Sequence, residues 1–154
     1  MAVRLPPTKL SSVLLASALL VASPWVAALE FRSVSVPKAV LYDAPSAQAH
    51  KLYVVGQGYP LEVLVNLGDW IKVRDQQGSL NWVEARQLSE KRTVVIKVDE
   101  VELRQAADNQ SPVQARLTRH LVLEVLEPNN SGWVKVRHRD GVTGFVPATA
   151  VWGI

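Results

Sequence analysis

Apolar and polar residues alternate along most of the chain in short runs, and this period of two is typical of β-strands with one buried face. The clearest run is 70–74, in which the aliphatic residues Ile71 and Val73 fall on one face of the predicted strand. Trp70 falls on the other face, together with a lysine and an arginine. Because the two aliphatic side chains fill the core, the pattern predicts that this tryptophan lies on the outer face beside two cations.

The same run returns later in the chain. Leu-Glu-Val-Leu precedes 70–74, and the same four residues precede Trp-Val-Lys-Val-Arg at 133–137. A glycine follows the tryptophan by eight positions in both cases. This shared register indicates an internal duplication, with one small unit predicted at 30–90 and a second at 93–154.

Gly, Pro, Asn and Asp interrupt the alternation at intervals typical of small barrels, and no segment after residue 30 has the spacing of a long helix. The pattern predicts strands at 34–36, 40–42, 51–55, 61–65, 70–74, 80–84, 93–98, 101–103, 121–126, 133–137 and 142–146, with one helical turn at 86–88. Five or six short antiparallel strands in each unit predict an all-β fold of two tandem small β-barrels. Closure of each barrel is expected to remove exposed sheet edges.

The connection between the units is short. Only residues 89–92 separate the last predicted turn of the first unit from the first strand of the second. Such a linker has little reach, so we expect the two barrels to touch at a fixed angle. A cleft between them is then a candidate ligand site.

The first 28 residues are predicted to form a signal peptide. Arg4 and Lys9 precede an apolar run at 13–22, and Pro24 and small residues lead to a predicted cleavage after Ala28. The run is shorter than the roughly twenty residues of a membrane-spanning helix, which favours cleavage over retention as an anchor. A periplasmic or secreted location is therefore expected, with no stable membrane span after cleavage.

Cysteine content and charge exclude several classes of function. The chain has no cysteine, so it has no disulfide framework and no thiolate ligand or nucleophile. Its formal net charge of +3 becomes 15 basic against 14 acidic residues once Arg4 and Lys9 leave with the signal segment. This balance gives no electrostatic footprint for a phosphate backbone, so nucleic acid is not expected as a partner.

The order of Leu-Glu-Val-Leu, a turn, Trp-x-Lys-Val-Arg, a turn with glycine and a second aromatic followed by valine resembles the bacterial SH3-like (SH3b) domain, here present twice. The second aromatic is Trp82 in the first unit and Phe145 in the second. The resemblance covers 34–151 and is closest to the exported two-unit branch of the family. Gly144 before Phe145 follows the family pattern, whereas Asn81 replaces this glycine before Trp82.

The resemblance implies two tandem SH3-like β-barrels and a binding module without chemistry of its own, commonly directed to cell-wall peptides, glycans or envelope proteins. An outward aromatic ring beside a cation suits stacking on a sugar or apolar ring next to a carboxylate. We therefore expect the partner to be a peptidoglycan fragment or wall peptide. The expected ligand-binding residues are Tyr42, Trp70, Arg74, Trp82, Trp133, Arg137 and Phe145.

Catalysis is not expected. His50, His120 and His138 do not occupy matching repeat positions or form a pair with metal-ligand spacing. No Gly-x-Ser-x-Gly is present, and the aspartates fall in predicted turns or at strand ends, where a short carboxylate binds its own backbone. The expectation is a protein that is not an enzyme and holds no cofactor and no metal.

Three other functions stay open. In the first, the chain is a structural or regulatory subunit that docks onto an envelope enzyme or complex and buries the same aromatics between proteins. The second is a weak wall hydrolase. The third, a reader of polyproline peptides, is a minor interpretation, because the two eukaryotic SH3 signatures that the chain resembles, at 39–43 and 144–147, lie in different units.

Overall fold

The computed structural model describes residues 28–154. The predicted signal segment, apart from its last residue, lies outside the described residues. Within 28–154, no helix has the length and apolar character needed to cross a membrane.

The first unit is a seven-stranded antiparallel sheet with the order β3-β2-β6-β5-β4-β1-β7. Its strands are β1 (Phe31–Val34), β2 (Lys38–Tyr42), β3 (Lys51–Gly56), β4 (Pro60–Asn66), β5 (Trp70–Arg74), β6 (Leu80–Glu84) and β7 (Leu88–Ser89). One short 3-10 turn, Ala85–Gln87, connects the last two strands.

The second unit repeats this topology, with the order β10-β9-β13-β12-β11-β8-β14. Its strands are β8 (Thr93–Ile96), β9 (Glu100–Arg104), β10 (Val113–Thr118), β11 (Val122–Asn130), β12 (Trp133–Arg137), β13 (Thr143–Pro147) and β14 (Val151–Trp152). A 3-10 turn at Ala148–Ala150 occupies the same place as the turn in the first unit. The predicted all-β fold of two tandem SH3-like units is confirmed.

The alternation of the central strands explains where each core lies. Ile71 and Val73 on β5 are fully buried, and Val134 and Val136 repeat this on β12. Each unit has its own cluster of buried aliphatic side chains. The residues between them on β5 and β12 are partly or fully exposed, so the predicted division into an inner and an outer face is confirmed.

The predicted strand count of five or six is too low, since each sheet has seven strands. The two-residue strands β7 and β14 are too short to show a period of two. β10 was missed because Leu117 is its single buried residue, and a bulge interrupts its pairing with β9 near Val113. The expected loss of sheet edges is also wrong: each ladder has two ends, and β3 leaves Leu52 and Val54 exposed at one of them.

The two units contact each other, as the short linker predicts. The Phe31 and Trp152 rings meet edge to face with 5.0 Å between their centroids. The Arg92 guanidinium lies 5.8 Å from the centroid of the Phe31 ring. The Thr93 hydroxyl donates a hydrogen bond of 2.6 Å to the Gly58 carbonyl. Aromatic packing and hydrogen bonding therefore both cross the junction.

Candidate functional site

The outer face of the first unit carries a cluster of rings with one cation, which we call the first aromatic surface (Tyr42, Trp70, Lys72 and Trp82). Lys72 on β5 lies opposite Trp82 on β6, and its Nζ is 5.9 Å from the centroid of the indole. Tyr42 on β2 is in register with Trp82, and its ring meets Trp70 edge to face with 5.3 Å between centroids. Cross-strand register thus brings three of the predicted site residues together.

Tyr42 does not face solvent as the sequence predicted. Its side chain is only 6% exposed. The period of two does place it on the face opposite the buried Leu41, but the large side chains of neighbouring strands cover its ring. Its contact is with Trp70, which it supports edge-on, while Trp70 and Trp82 remain partly exposed.

The second unit presents an equivalent second aromatic surface (Arg104, Trp133, Lys135 and Phe145). Lys135 lies opposite Phe145, and its Nζ is 5.8 Å from the ring centroid. Trp133 lies two positions away on the same face of β12. Arg104 takes the place of Tyr42 in register with the second aromatic, and its guanidinium donates to the Ser111 carbonyl at 2.7 Å. The duplicated surface has therefore exchanged a phenol ring for a cation.

The expected ligand-binding residues did not include Lys72, Lys135 and Arg104, which belong to these surfaces. The period of two places both lysines on the outer face, but their position over a ring depends on which residue of the next strand lies opposite. The length of the hairpin turn fixes that register, and it is the one signal in the sequence that points to the pairing.

Arg74 and Arg137 lie at the far ends of β5 and β12, and both hold a carboxylate. Arg74 pairs with Glu62 at 3.1 Å and Arg137 pairs with Glu124 at 2.9 Å. The hydrogen bond from Arg137, with a further one from Lys91, lowers the pKa of Glu124. The two predicted arginines therefore share the outer face with the rings, but each already has an anionic partner.

Two concave regions adjoin these surfaces. A groove of about 480 Å³ lies beside Trp70, between the 45–48 loop and the side chains of Glu84 and Arg86. A larger cleft of about 1040 Å³ lies between the two units. It is lined by β1 and β7 of the first unit and by β11 and the β12–β13 turn of the second.

A polar network below the first aromatic surface explains the departure from glycine at position 81. Asp75 is buried in the β5–β6 turn, where its Oδ1 accepts hydrogen bonds of 2.9 Å from the backbone N–H groups of Gln77 and Ser79. Tyr53 donates its hydroxyl hydrogen to Asp75 Oδ2 and accepts a hydrogen bond of 2.7 Å from the Asn81 amide. Asp75 therefore stabilises the turn, as expected of a turn aspartate.

This network predicts a loss of stability at high pH. Burial raises the pKa of Tyr53 to about 12, and the hydrogen bond to Asp75 adds to the shift. Because the unfolded chain loses this proton near pH 10 while the folded protein keeps it, the free energy of unfolding should fall between about pH 10 and pH 12. Denaturant titration across this range, with ultraviolet detection of tyrosinate, measures both effects.

Tyr53→Phe is expected to flatten this pH dependence without abolishing it, because burial also raises the pKa of Tyr59. The measured quantity is the slope of the free energy of unfolding against pH, compared with the slope of the wild type. Loss of the hydrogen bond to Asp75 lowers the stability at neutral pH, but this offset does not enter the comparison of slopes. An unchanged slope in the variant would show that the proton of Tyr53 is not responsible.

The histidines take no part in the aromatic surfaces. His138 Nδ1 lies 2.8 Å from Asp140 Oδ1 at the β12–β13 turn, and His120 lines the cleft between the units. Across residues 28–154, no group of three or more His, Asp or Glu side chains is placed to hold a metal ion.

Two antiparallel units with a repeated strand order and a ring-and-lysine surface on each define a tandem SH3-like protein. The family described as "Bacterial SH3 domain" matches residues 35–90 and again residues 97–153. The chain belongs to the bacterial SH3 domain family, which confirms the resemblance seen in its sequence. No curated protein matches it.

Several solved structures are similar to the chain at low identity. NlpC2 from Trichomonas vaginalis has 14% identity and a TM-score of 0.38 over 81% of this chain and 48% of that one. NlpC1 from the same organism has 16% identity and a TM-score of 0.38 over 89% and 50%. An NlpC/P60 family protein from Bacillus cereus ATCC 10987 has 13% identity and a TM-score of 0.36 over 79% and 55%. The chain spans about half the length of these solved chains.

Proposed function

We propose that the chain is an exported recognition module that binds peptidoglycan fragments or wall peptides and catalyses no reaction. The observation that supports this proposal is a pair of side chains that occurs in both units. Each unit carries, on adjacent strands of its outer face, an aromatic ring with a lysine Nζ within 6 Å of its centroid, at 5.9 Å for Trp82 and 5.8 Å for Phe145.

The geometry suits a ligand with an apolar or sugar face and an acidic group. A partly exposed indole offers a flat surface with little side-chain entropy to lose, so stacking on it is favourable. The lysine beside the ring attracts a carboxylate that the stacked group carries. Wall glycopeptides combine both features.

The polar groups of the described residues support a role without catalysis. The carboxylates of Asp43, Asp75 and Asp108 accept backbone hydrogen bonds in their own loops, at 3.0 Å from His50, 2.9 Å from Ser79 and 2.9 Å from Gln110. A carboxylate held in this way stabilises a turn and is poorly placed to act as a general acid or base.

Export belongs to the proposal through the predicted signal segment. Fractionation of cells that produce the whole chain tests it. The protein is expected outside the cytoplasm and shortened by the predicted segment, whereas a full-length cytoplasmic product would contradict export.

A second candidate, docking onto an envelope protein, is favoured by the edge strand β3. Leu52 and Val54 are 47% and 54% exposed on this strand. The equivalent positions of β10 hold Gln114 and Arg116, so the apolar edge occurs in the first unit and its counterpart in the second is polar. An apolar strand at a sheet edge is a ready surface for pairing with another chain.

Sedimentation with insoluble peptidoglycan tests the proposal. The double variant Trp133→Ala, Phe145→Ala removes both rings of the second aromatic surface. We expect its affinity for sacculi to fall about tenfold or more, because truncation of stacking aromatics removes most of the contact energy. The matched control is Leu52→Gln, Val54→Arg, which copies the second unit's residues onto β3 and should bind as the wild type does.

The same assay separates the three functions. Equal binding by the double variant Trp133→Ala, Phe145→Ala and by the wild type would contradict recognition through the second aromatic surface. Loss of sacculus binding in the β3 variant alone would favour docking onto a wall-associated protein. Release of soluble muropeptides by the purified protein would overturn the absence of catalysis.

A further inference from the structure

The cleft between the units has an excess of cationic side chains. Lys91, Arg137 and Arg139 line it, and Glu124 is the one carboxylate among its lining residues. Glu124 Oε2 is shared by Lys91 Nζ at 3.3 Å and by Arg137 at 2.9 Å. One anion therefore serves two cations, which leaves positive charge unbalanced inside the cleft.

Arg139 adds to this excess. Among residues 28–154 it takes part in no ion pair. The nearby carboxylate of Asp140 binds His138, and this hydrogen bond lowers the pKa of Asp140. Arg139 thus lies at the cleft with its guanidinium available to an incoming anion.

The cleft is continuous with the second aromatic surface. Trp133, Lys135 and Arg137 share the outer face of β12, and Arg137 also lines the cleft. A strand rises about 3.4 Å per residue, so the two ends of this row are roughly 13–14 Å apart. A ligand that stacks on the rings and follows the strand reaches the cationic cleft.

The first unit lacks this arrangement. Its equivalent arginine, Arg74, pairs with Glu62, whose side chain is only 8% exposed. The positions that correspond to His138 and Arg139 hold Asp75 and Gln76, an acid and a neutral amide. The excess of cations is thus a property of the second unit and the linker and is not a general feature of the repeat.

We propose that the cleft between the units binds a carboxylate of the same ligand whose ring or sugar stacks on the second aromatic surface. This inference rests on the proposed function and adds the site and chemistry of its acidic end. The ligand class is a glycopeptide with a free carboxylate about 10–15 Å from its stacked group, a separation set by the length of β12. Arg139 is the principal new contact, and beside it Lys91 and Arg137 share Glu124 as their one counterion.

The test is calorimetric titration of the purified protein with a soluble disaccharide-tetrapeptide from peptidoglycan and with the same fragment after amidation of its carboxylates. The wild type should bind the amidated fragment about tenfold more weakly, because a charge-assisted hydrogen bond is lost. Arg139→Gln should bind the acidic fragment as weakly as the wild type binds the amidated one, and the amidated fragment with unchanged affinity.

Arg116→Gln is the matched control. It removes one positive charge from β10, where Arg116 pairs with Glu100 at 3.4 Å, and it should leave both affinities unchanged. A tenfold loss in this control would show that net charge, and not the cleft, is responsible. Circular dichroism of Arg139→Gln is expected to match the wild type, because its side chain is exposed.

The outcomes separate the cleft from the proposed function. Equal binding of acidic and amidated fragments by the wild type, with a loss in Trp133→Ala, would overturn the carboxylate site and leave ring recognition standing. Absence of binding of either fragment, together with absence of binding to sacculi, would overturn both.

Discussion

Replacement of Gly144 by alanine is expected to destabilise the protein by about 2–3 kcal/mol, because the added methyl group overpacks the junction of β9 and β13. A Cβ at this position would lie 2.6 Å from the Arg104 carbonyl oxygen and 2.8 Å from the Leu103 Cγ. Neither contact is relieved by a simple rotation, since one is backbone and the other belongs to a fully buried side chain. Urea unfolding followed by near-ultraviolet circular dichroism measures the loss.

Gly56→Ala is the control for this prediction. No atom lies within 4 Å of a Cβ built at position 56, so alanine there has room. Its effect on the free energy of unfolding should stay within about 0.5 kcal/mol. Similar unfolding midpoints for the two variants would show that β9 and β13 can separate without cost.

The same position in the first unit shows how the repeats have diverged. Asn81 is buried there, and its amide binds the hydroxyl of Tyr53, which in turn binds Asp75. In the second unit the position of Tyr53 is held by Ala115, which has no polar group for an amide to bind. The exchange of glycine for asparagine is therefore tied to the tyrosine two strands away, and Gly144→Asn alone would leave a buried amide without its partner.

The period of two predicted the first and last residues of the central strands correctly, because each of these strands has one buried face and one outer face. β5, β6 and β12 were predicted with their observed bounds, and the aliphatic residues of β5 and β12 are the buried ones. β10 was missed because its one buried leucine does not produce an alternation of buried and exposed residues. Periodicity predicts which face of the sheet a side chain lies on. It does not predict how far the side chains of adjacent strands cover it.

That limit explains the partial prediction of the aromatic surfaces. Tyr42 was placed on the correct face, but its burial depends on the large rings that the next strands bring alongside. The lysine above each second aromatic depends on cross-strand register, and the cations of the cleft come from the linker and from a turn of the second unit. Contacts of this kind are long-range in sequence, so local patterns predict the strands and leave the pairing open.

Trp152→Ala is expected to weaken the contact between the units by about 2–3 kcal/mol, which is below the loss for a fully buried tryptophan because the side chain is partly exposed. Its ring packs edge to face on Phe31 at 5.0 Å and lies 6.5 Å from the Tyr59 ring, so one side chain of β14 holds two rings of the first unit. In the wild type, units of this size depend on each other's burial for stability and should unfold in one calorimetric transition. In the variant the weaker contact should separate this into two transitions.

Trp133→Ala tests whether any tryptophan would give the same result. Trp133 lies on the outer face of β12 and is not one of the two rings that pack on Trp152. Its loss should therefore lower stability by less than about 1 kcal/mol and preserve a single transition. A double-mutant cycle of Trp152→Ala with Phe31→Ala isolates the pair, for which we expect a coupling of about 0.5–1.5 kcal/mol. Additive single losses would show that Trp152 and Phe31 do not stabilise each other. Two transitions already present in the wild type would mean that the units fold independently and that the cleft between them has no fixed shape to offer a ligand.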